Sequence, residues 1–130
     1  MVNLMTSLVS HLNNDAAVFA EFGNRITVDK IPDKQKYPYA RLFKVANPQQ
    51  YHLQGYGGQT ALIQVDIYGE TQSSVDDGME LIYNSLSGYR GVMGEMSVGR
   101  CFVNNVAGLG WDPETRTYHR ILEVDLGTSD

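Results

Sequence analysis

The side chains in this sequence that could do chemistry are few, and their spacing does not gather them. Cys101, the single cysteine, stands between Arg100 and Phe102 in strand-like sequence. With no histidine pattern near it, it reads as a small buried hydrophobe rather than a nucleophile or metal ligand. The three histidines, His11, His52 and His119, fall near a helix end, in a loop and in a strand. No serine sits in the sharp strand-to-helix turn of a nucleophile elbow. Asp76 and Asp77 invite a metal reading, but neighbouring side chains on a helix point about 100° apart. No histidine or third acid closes a site around them, so they read as compensation of the helix dipole. Asp66 and Glu123 can face each other across a sheet, where exposed carboxylates are ordinarily only solvated. Gly55-Tyr56-Gly57-Gly58 has the glycine content of a phosphate cradle. It has no lysine partner, and it leads into a strand instead of the helix that phosphate loops need. These residues predict no catalytic site, no metal and no cofactor.

The elements that hold them are clearer. From Gln59 to Tyr68, Ala61, Ile63, Val65 and Ile67 point one way; Thr60, Gln64, Asp66 and Tyr68 point the other, and Leu62 breaks the pattern. That is a strand with one buried face. Gly69 ends it and the period changes: Val75, Met79, Ile82, Tyr83 and Leu86 recur at helical offsets, the stripe of an amphipathic helix. Ser73 reads as its N-cap, with Asp76 in a capping-box position, and Gly88 as its C′ residue. A strand turning into a helix that lies back on the same sheet predicts a two-layer α+β core.

The flanking chain extends that plan. Val2, Met5, Leu8 or Val9, and Leu12 mark a first helix, with His11 as a surface or capping residue near its end. Asp15 caps a short second helix that runs to Phe22 and stops at Gly23. Arg25–Val28 and Tyr39–Val45 read as strands, the second opened by Pro38. Tyr89–Gly94 reads as a loop, Glu95 or Met96 to Val106 as a strand and Arg116–Leu126 as the last strand before a fraying end. Trp111 is expected to be a packing anchor near the Asp112–Thr115 turn. The expectation is one α+β domain over residues 1–130: an antiparallel sheet of about four or five strands, helices packed on one face and a long β-hairpin loop. That loop, Asn47–Gly58, is polar and glycine-rich, and loops of about 12 residues are uncommon unless they do something. Gln49, Gln50, Tyr51, His52, Gln54 and Tyr56 are side-chain types that adapt to interfaces, so this tip is the candidate partner-contact loop.

Composition bounds the function. Hydrophobic residues make up 42% and charged residues 19%, a globular balance. No apolar run reaches the roughly 18 residues of a membrane span, and no basic stretch precedes the first apolar residues, which argues against a signal peptide. The net charge of −5 disfavours general nucleic-acid binding. Six of the ten basic residues lie between Arg25 and Lys44, and none lies between Val45 and Tyr89, where Asp66, Glu70, Asp76, Asp77 and Glu80 are acidic. A basic flank carrying Lys30, Lys34 and Lys36 and an acidic flank carrying Asp76, Asp77 and Glu80 suit head-to-tail self-association. Two solvated faces are the plainer alternative.

The order of these phrases resembles a known family. The first helix followed by Asp15-Ala16-Ala17-Val18, Gly23-Asn24-Arg25-Ile26, Pro32, and Tyr37-Pro38-Tyr39 opening a strand are its first part. A glycine-rich hairpin tip, Ile63-Gln64-Val65-Asp66-Ile67-Tyr68-Gly69, Leu86-Ser87-Gly88 and Tyr118-His119-Arg120-Ile121-Leu122-Glu123-Val124 complete it. Over nearly the whole chain this is similar to the tail completion proteins (tail terminator or tail-to-head joining proteins) of long-tailed bacteriophages and prophages. The resemblance implies a non-enzymatic virion protein of the tail–neck region, assembled in the bacterial cytoplasm. It implies a self-associating ring, typically a hexamer, that caps the tail tube protein and docks onto the head-tail connector or head-closure protein. DNA would pass through without specific binding, and no membrane is involved. A head-closure or minor tail protein is the alternative within the neck, and a small enzyme or ligand-binding module the alternative outside it.

Overall fold

The computed structural model describes residues 4–23, 25–29, 37–46, 60–93, 96–113 and 116–128. Two helices come first, α1 (Leu4–Asn14) and α2 (Ala16–Phe22). Leu4, Leu8 and Leu12 recur at every fourth position of α1 and are buried. Asp15 starts α2: its carboxylate accepts from the Ala17 N–H at 3.0 Å and the Val18 N–H at 3.3 Å, satisfying two of the donors a helix start leaves free. Gly23 ends α2 at φ 58°, a left-handed conformation that glycine adopts without a Cβ penalty.

The sheet holds six strands: β1 (Ile26–Val28), β2 (Tyr39–Ala46), β3 (Thr60–Gly69), β4 (Gly91–Met93), β5 (Met96–Asp112) and β6 (Thr117–Thr128), in the spatial order β1-β2-β3-β6-β5-β4. The third helix, α3 (Gln72–Leu86), follows β3 and lies against β3, β6 and β5. All three helices cover one face. Ala61, Ile63, Val65 and Ile67 of β3 and Leu122, Val124 and Leu126 of β6 pack there against Leu8, Leu12, Phe22, Val75, Ile82 and Leu86. Each buried aliphatic side chain of this kind contributes about 1.5–3 kcal/mol, so this face is where the fold is held.

Several expectations need correction. The sheet is mixed, not antiparallel throughout: β1 pairs with β2 in parallel, Ile26 against Ala40 and Val28 against Leu42. Apolar patterning carries no strand direction, and the 29–38 connector is long for a hairpin turn, which leaves room for a parallel return. The N-cap of α3 is Thr71, not Ser73; its hydroxyl accepts from the Ser74 N–H at 3.1 Å. The helix starts early because the chain turns at once after β3. A Cβ on Gly69 would stand 2.6 Å from Val75 Cγ2. Residues 91–93, expected as loop, form β4 against 96–98. β5 runs on to Asp112 instead of stopping at Val106, because its pairing with β6 absorbs the glycines as a register shift between Gly108 and Gly110, the usual use of strand glycines. Gly127 and Thr128 do not fray; they pair with Arg100 and Val98.

Candidate functional surface

The face of the sheet turned away from the helices carries the densest polar arrangement. Strand register builds it. Tyr39 pairs with Tyr68 and Arg41 with Asp66; Tyr68 in turn pairs with His119. Arg41 Nη2 donates to Asp66 Oδ2 at 2.5 Å and Gln64 Nε2 donates to Oδ1 at 2.7 Å. His119 Nε2 stands 3.6 Å from the same Oδ1. Asp66 is only 1% exposed. Burial alone pushes its carboxyl pKa up, but the side-chain contacts with His119, Gln64 and Arg41 and the guanidinium charge outweigh that and hold it below 3.8. The Arg41 guanidinium also lies over the Phe43 ring, 4.9 Å from its centroid.

An aromatic ladder runs beside this pair. Ring centroids are 5.4 Å apart for Tyr37–Tyr39, 4.8 Å for Tyr39–Tyr68 and 4.2 Å for Tyr68–His119. Burial, reinforced by the neighbouring phenols, pushes the Tyr39 hydroxyl up to about 12, and burial with the Asp66 charge raises Tyr68. The carboxylate is thus kept ionised and paired while the phenols stay protonated. Such a cluster locks β2, β3 and β6 together. The expected facing of Asp66 and Glu123 does not occur: Asp66 stands opposite Ile121 and Glu123 opposite Gln64. Asp66 is buried and ion-paired instead of solvated.

At one end of the helix-covered face, Gln72, Asp76, Tyr118 and Arg120 line a cavity of about 270 Å³. Arg120 Nε lies 2.6 Å from Asp76 Oδ1 across it. Trp111 is 50% exposed and meets Tyr118 edge-on at 5.1 Å, so it is a surface residue and not the packing anchor the sequence suggested. Phe19, Tyr83, Val92 and Phe102 are also large apolar side chains left exposed. Met79, Glu80, Tyr83 and Asn84 border a cleft of about 330 Å³ on α3.

The residues singled out from sequence fare unequally. Gln49, Gln50, Tyr51, His52, Gln54 and Tyr56 lie outside the described residues, as do Lys30, Lys34 and Lys36. Asp76 is engaged by Arg120, while Asp77 and Glu80 are exposed on α3. Cys101 is buried, and burial followed by the Asp125 charge pushes its thiol up to about 12, which makes it a poor nucleophile. His11 is not a free surface residue: Nε2 lies 3.1 Å from the Ser85 carbonyl and 3.2 Å from Ser85 Oγ, and its ring packs on Tyr89 at 4.3 Å. That contact ties α1 to α3. Sequence reasoning missed it and the Arg41–Asp66 pair, since both join residues far apart in the chain. Among the described residues no group of histidine, cysteine and acidic side chains is placed to hold a metal ion, and no helix is long and apolar enough to cross a membrane.

Comparison with known proteins gives this surface its context. No curated protein matches the chain. A chain of the solved structure described as "Virion of native gene transfer agent (GTA) particle" superposes with a TM-score of 0.73 over 98% of this chain and 95% of that one, at 12% identity; a likeness at that identity speaks for the fold. The sequence profile of a structural, non-enzymatic tail protein family matches residues 6–129. The chain belongs to the tail completion protein gp17 family.

Proposed function

We propose that this chain is a virion subunit that closes the end of a tail tube as a ring and presents the surface on which the head is joined. The family match over residues 6–129 carries this reading. The full-length likeness to a chain of a gene transfer agent virion supports it. Partners follow from the role: other copies of the chain, the tail tube protein, and the connector or head-closure protein. In a closed ring each contact is heterologous, so each subunit needs two unlike surfaces. The acidic row on α3 is one, and the lysine-rich segment with Lys30, Lys34 and Lys36 is the other. The 49–56 stretch is assigned to the tube or a neighbour. Because Asp76 already pairs with Arg120, Asp77 and Glu80 are the acids free for a neighbour.

The test is mass by light scattering, alone and with purified tail tubes, followed by electron microscopy of the tubes. A ring-sized species, or added density at the head-proximal end, is expected. Binding to the head connector with no binding to tubes would replace this reading with a head-closure protein. Asp77→Lys with Glu80→Lys should lower ring occupancy at low salt. Unchanged assembly at both low and high salt would remove the charge-pairing part.

A further inference from the structure

We infer that the outer edge of β5 is a strand-docking edge, and that its occupant is the end of β2 from a second copy of this chain. This rests on the ring reading above and names the contact that builds it. Among the described residues, a strand lies outside β5 only at 96–98, where β4 pairs. One residue further along is also claimed: the Gly88 N–H donates to the Cys101 carbonyl at 2.8 Å. That bond fixes which residues point their backbone outward. If Cys101, opposite Leu126, turns its backbone away from β6, so does every second pair along the ladder: Val103–Val124, Val106–Leu122, Gly108–Arg120 and Trp111–Tyr118. Between the register shifts at 103/105 and 108/110, residues 105–108 pair regularly with β6. This short run presents the outward backbone groups of Val106 and Gly108.

Long edges in monomeric proteins are ordinarily guarded by lysine, proline, an inward charge or a β-bulge; on β5 the shifts at 103/105 and 108/110 confine the regular edge to residues 105–108. Between Arg100 and Asp112 the sequence Cys-Phe-Val-Asn-Asn-Val-Ala-Gly-Leu-Gly-Trp has no charge and no proline. Exposed Phe102 and Trp111, each 50% accessible, stand on the same strand. The run invites an added strand instead of repelling one.

The other end of the sheet supplies the matching piece. β1 covers β2 only from Ala40 to Leu42. The Ala40 N–H donates outward to Arg25 and the Leu42 carbonyl accepts from Asp29, so the next outward backbone belongs to Lys44, and residues 43–46 continue as strand without β1. The two edges differ, so their union is head-to-tail and can propagate around a ring. Charge agrees. Phe22 packs against Gly78, which places α2 on that side of α3. At about 100° per residue, Asp76 and Glu80 fall on the opposite flank. Asp76 reaches Arg120 of β6 there, on the side of α3 toward β5. An incoming segment centred on Lys44 enters beside acidic side chains.

Paired cysteines and one backbone deletion test this on rings assembled with tail tubes. Ala107 pairs with Ile121 and Phe43 with Gln64, and Ile121 and Gln64 lie on the sheet face turned away from the helices. Ala107→Cys is combined with Phe43→Cys or Val45→Cys; Cys101 is retained because it is buried. Oxidation should give a covalent ladder up to the ring in the double variant. Mixed single variants should give dimers only, and Ala107→Cys alone should give none. Val106→Pro removes an outward N–H and leaves the β6 ladder intact; ring formation should be lost while circular dichroism and the melting temperature stay near wild type. If that variant unfolds, the cross-links decide. Intact rings that show no cross-link, or that form normally from folded Val106→Pro protein, would overturn the inference. A wild-type protein that forms no ring on tubes would instead overturn the ring reading itself.

Discussion

Arg41 and Asp66 stand directly opposite each other on β2 and β3, with the guanidinium Nη2 2.5 Å from a carboxylate oxygen in a residue 1% exposed. The pair sits on the face without helices, where a strand's second side would ordinarily meet water. A buried charge left without its partner costs far more than the pair itself contributes. Asp66→Asn should therefore destabilise the fold by about 2–4 kcal/mol, read from chemical unfolding, with Arg41→Ala close behind. The double variant Arg41→Met/Asp66→Leu should recover much of that loss. Equal destabilisation of single and double variants would mean the pair is not energetically linked.

The same carboxylate sets an acid limit. Its folded pKa lies below the unfolded value of 3.8, so the stability it contributes is full above that value and is lost as pH falls through the folded pKa. The stability gap between wild type and Asp66→Asn should be constant above about pH 5 and should close below it. A gap unchanged down to strongly acid pH would show that Asp66 is not held ionised by its neighbours.

How much of this could be read in the chain depends on distance along it. The alternation at Ala61, Ile63, Val65 and Ile67 and the helical stripe at Val75, Ile82 and Leu86 are local, and they gave the two layers and the core directly. The Asp15 cap and the Gly88 stop are local too. What pairs Arg41 with Asp66, or His11 with Ser85, is strand register and helix docking, and those are set by long connections whose length does not fix an offset. The parallel sense of β1 was hidden for the same reason. The full length of β5 was hidden differently: glycines at 108 and 110 are usually breaks, and only the partner strand shows that they are absorbed as a shift. The acidic row on α3 was legible as charge, but the engagement of Asp76 by Arg120 was not.

At high pH the aromatic ladder should matter. Tyr39 is pushed up to about 12 and Tyr68 is raised above 10.0 by burial first of all. A raised folded pKa means stability that is complete below the unfolded value and is lost as pH rises through the folded one. Ultraviolet titration should therefore show these two phenols ionising last, with unfolding setting in between pH 10.0 and about 12. Tyr39→Phe and Tyr68→Phe should each weaken that alkaline transition. Ionisation of all the tyrosines together near the ordinary value, in folded protein, would show the ladder to be open to solvent.

Gly78 is the point where α3 meets α2. A Cβ built there would stand 2.7 Å from Phe22 Cζ and 3.6 Å from Ile67 Cγ2, and Phe22 is fully buried, with no room to swing aside. Alanine in a helix interior is favoured over glycine by about 1 kcal/mol, but forcing a methyl into a packed contact costs about 1–3 kcal/mol. The second effect should win, so Gly78→Ala should lower stability by roughly 1 kcal/mol, a melting-temperature drop of a few degrees. Phe22→Leu in the same chain should restore room at the tip of the ring and make the alanine neutral or favourable, a coupling that a double-mutant cycle measures. A Gly78→Ala protein as stable as wild type would mean that α2 slides on α3 without cost. The contact would then be loose enough for the helix layer to shift.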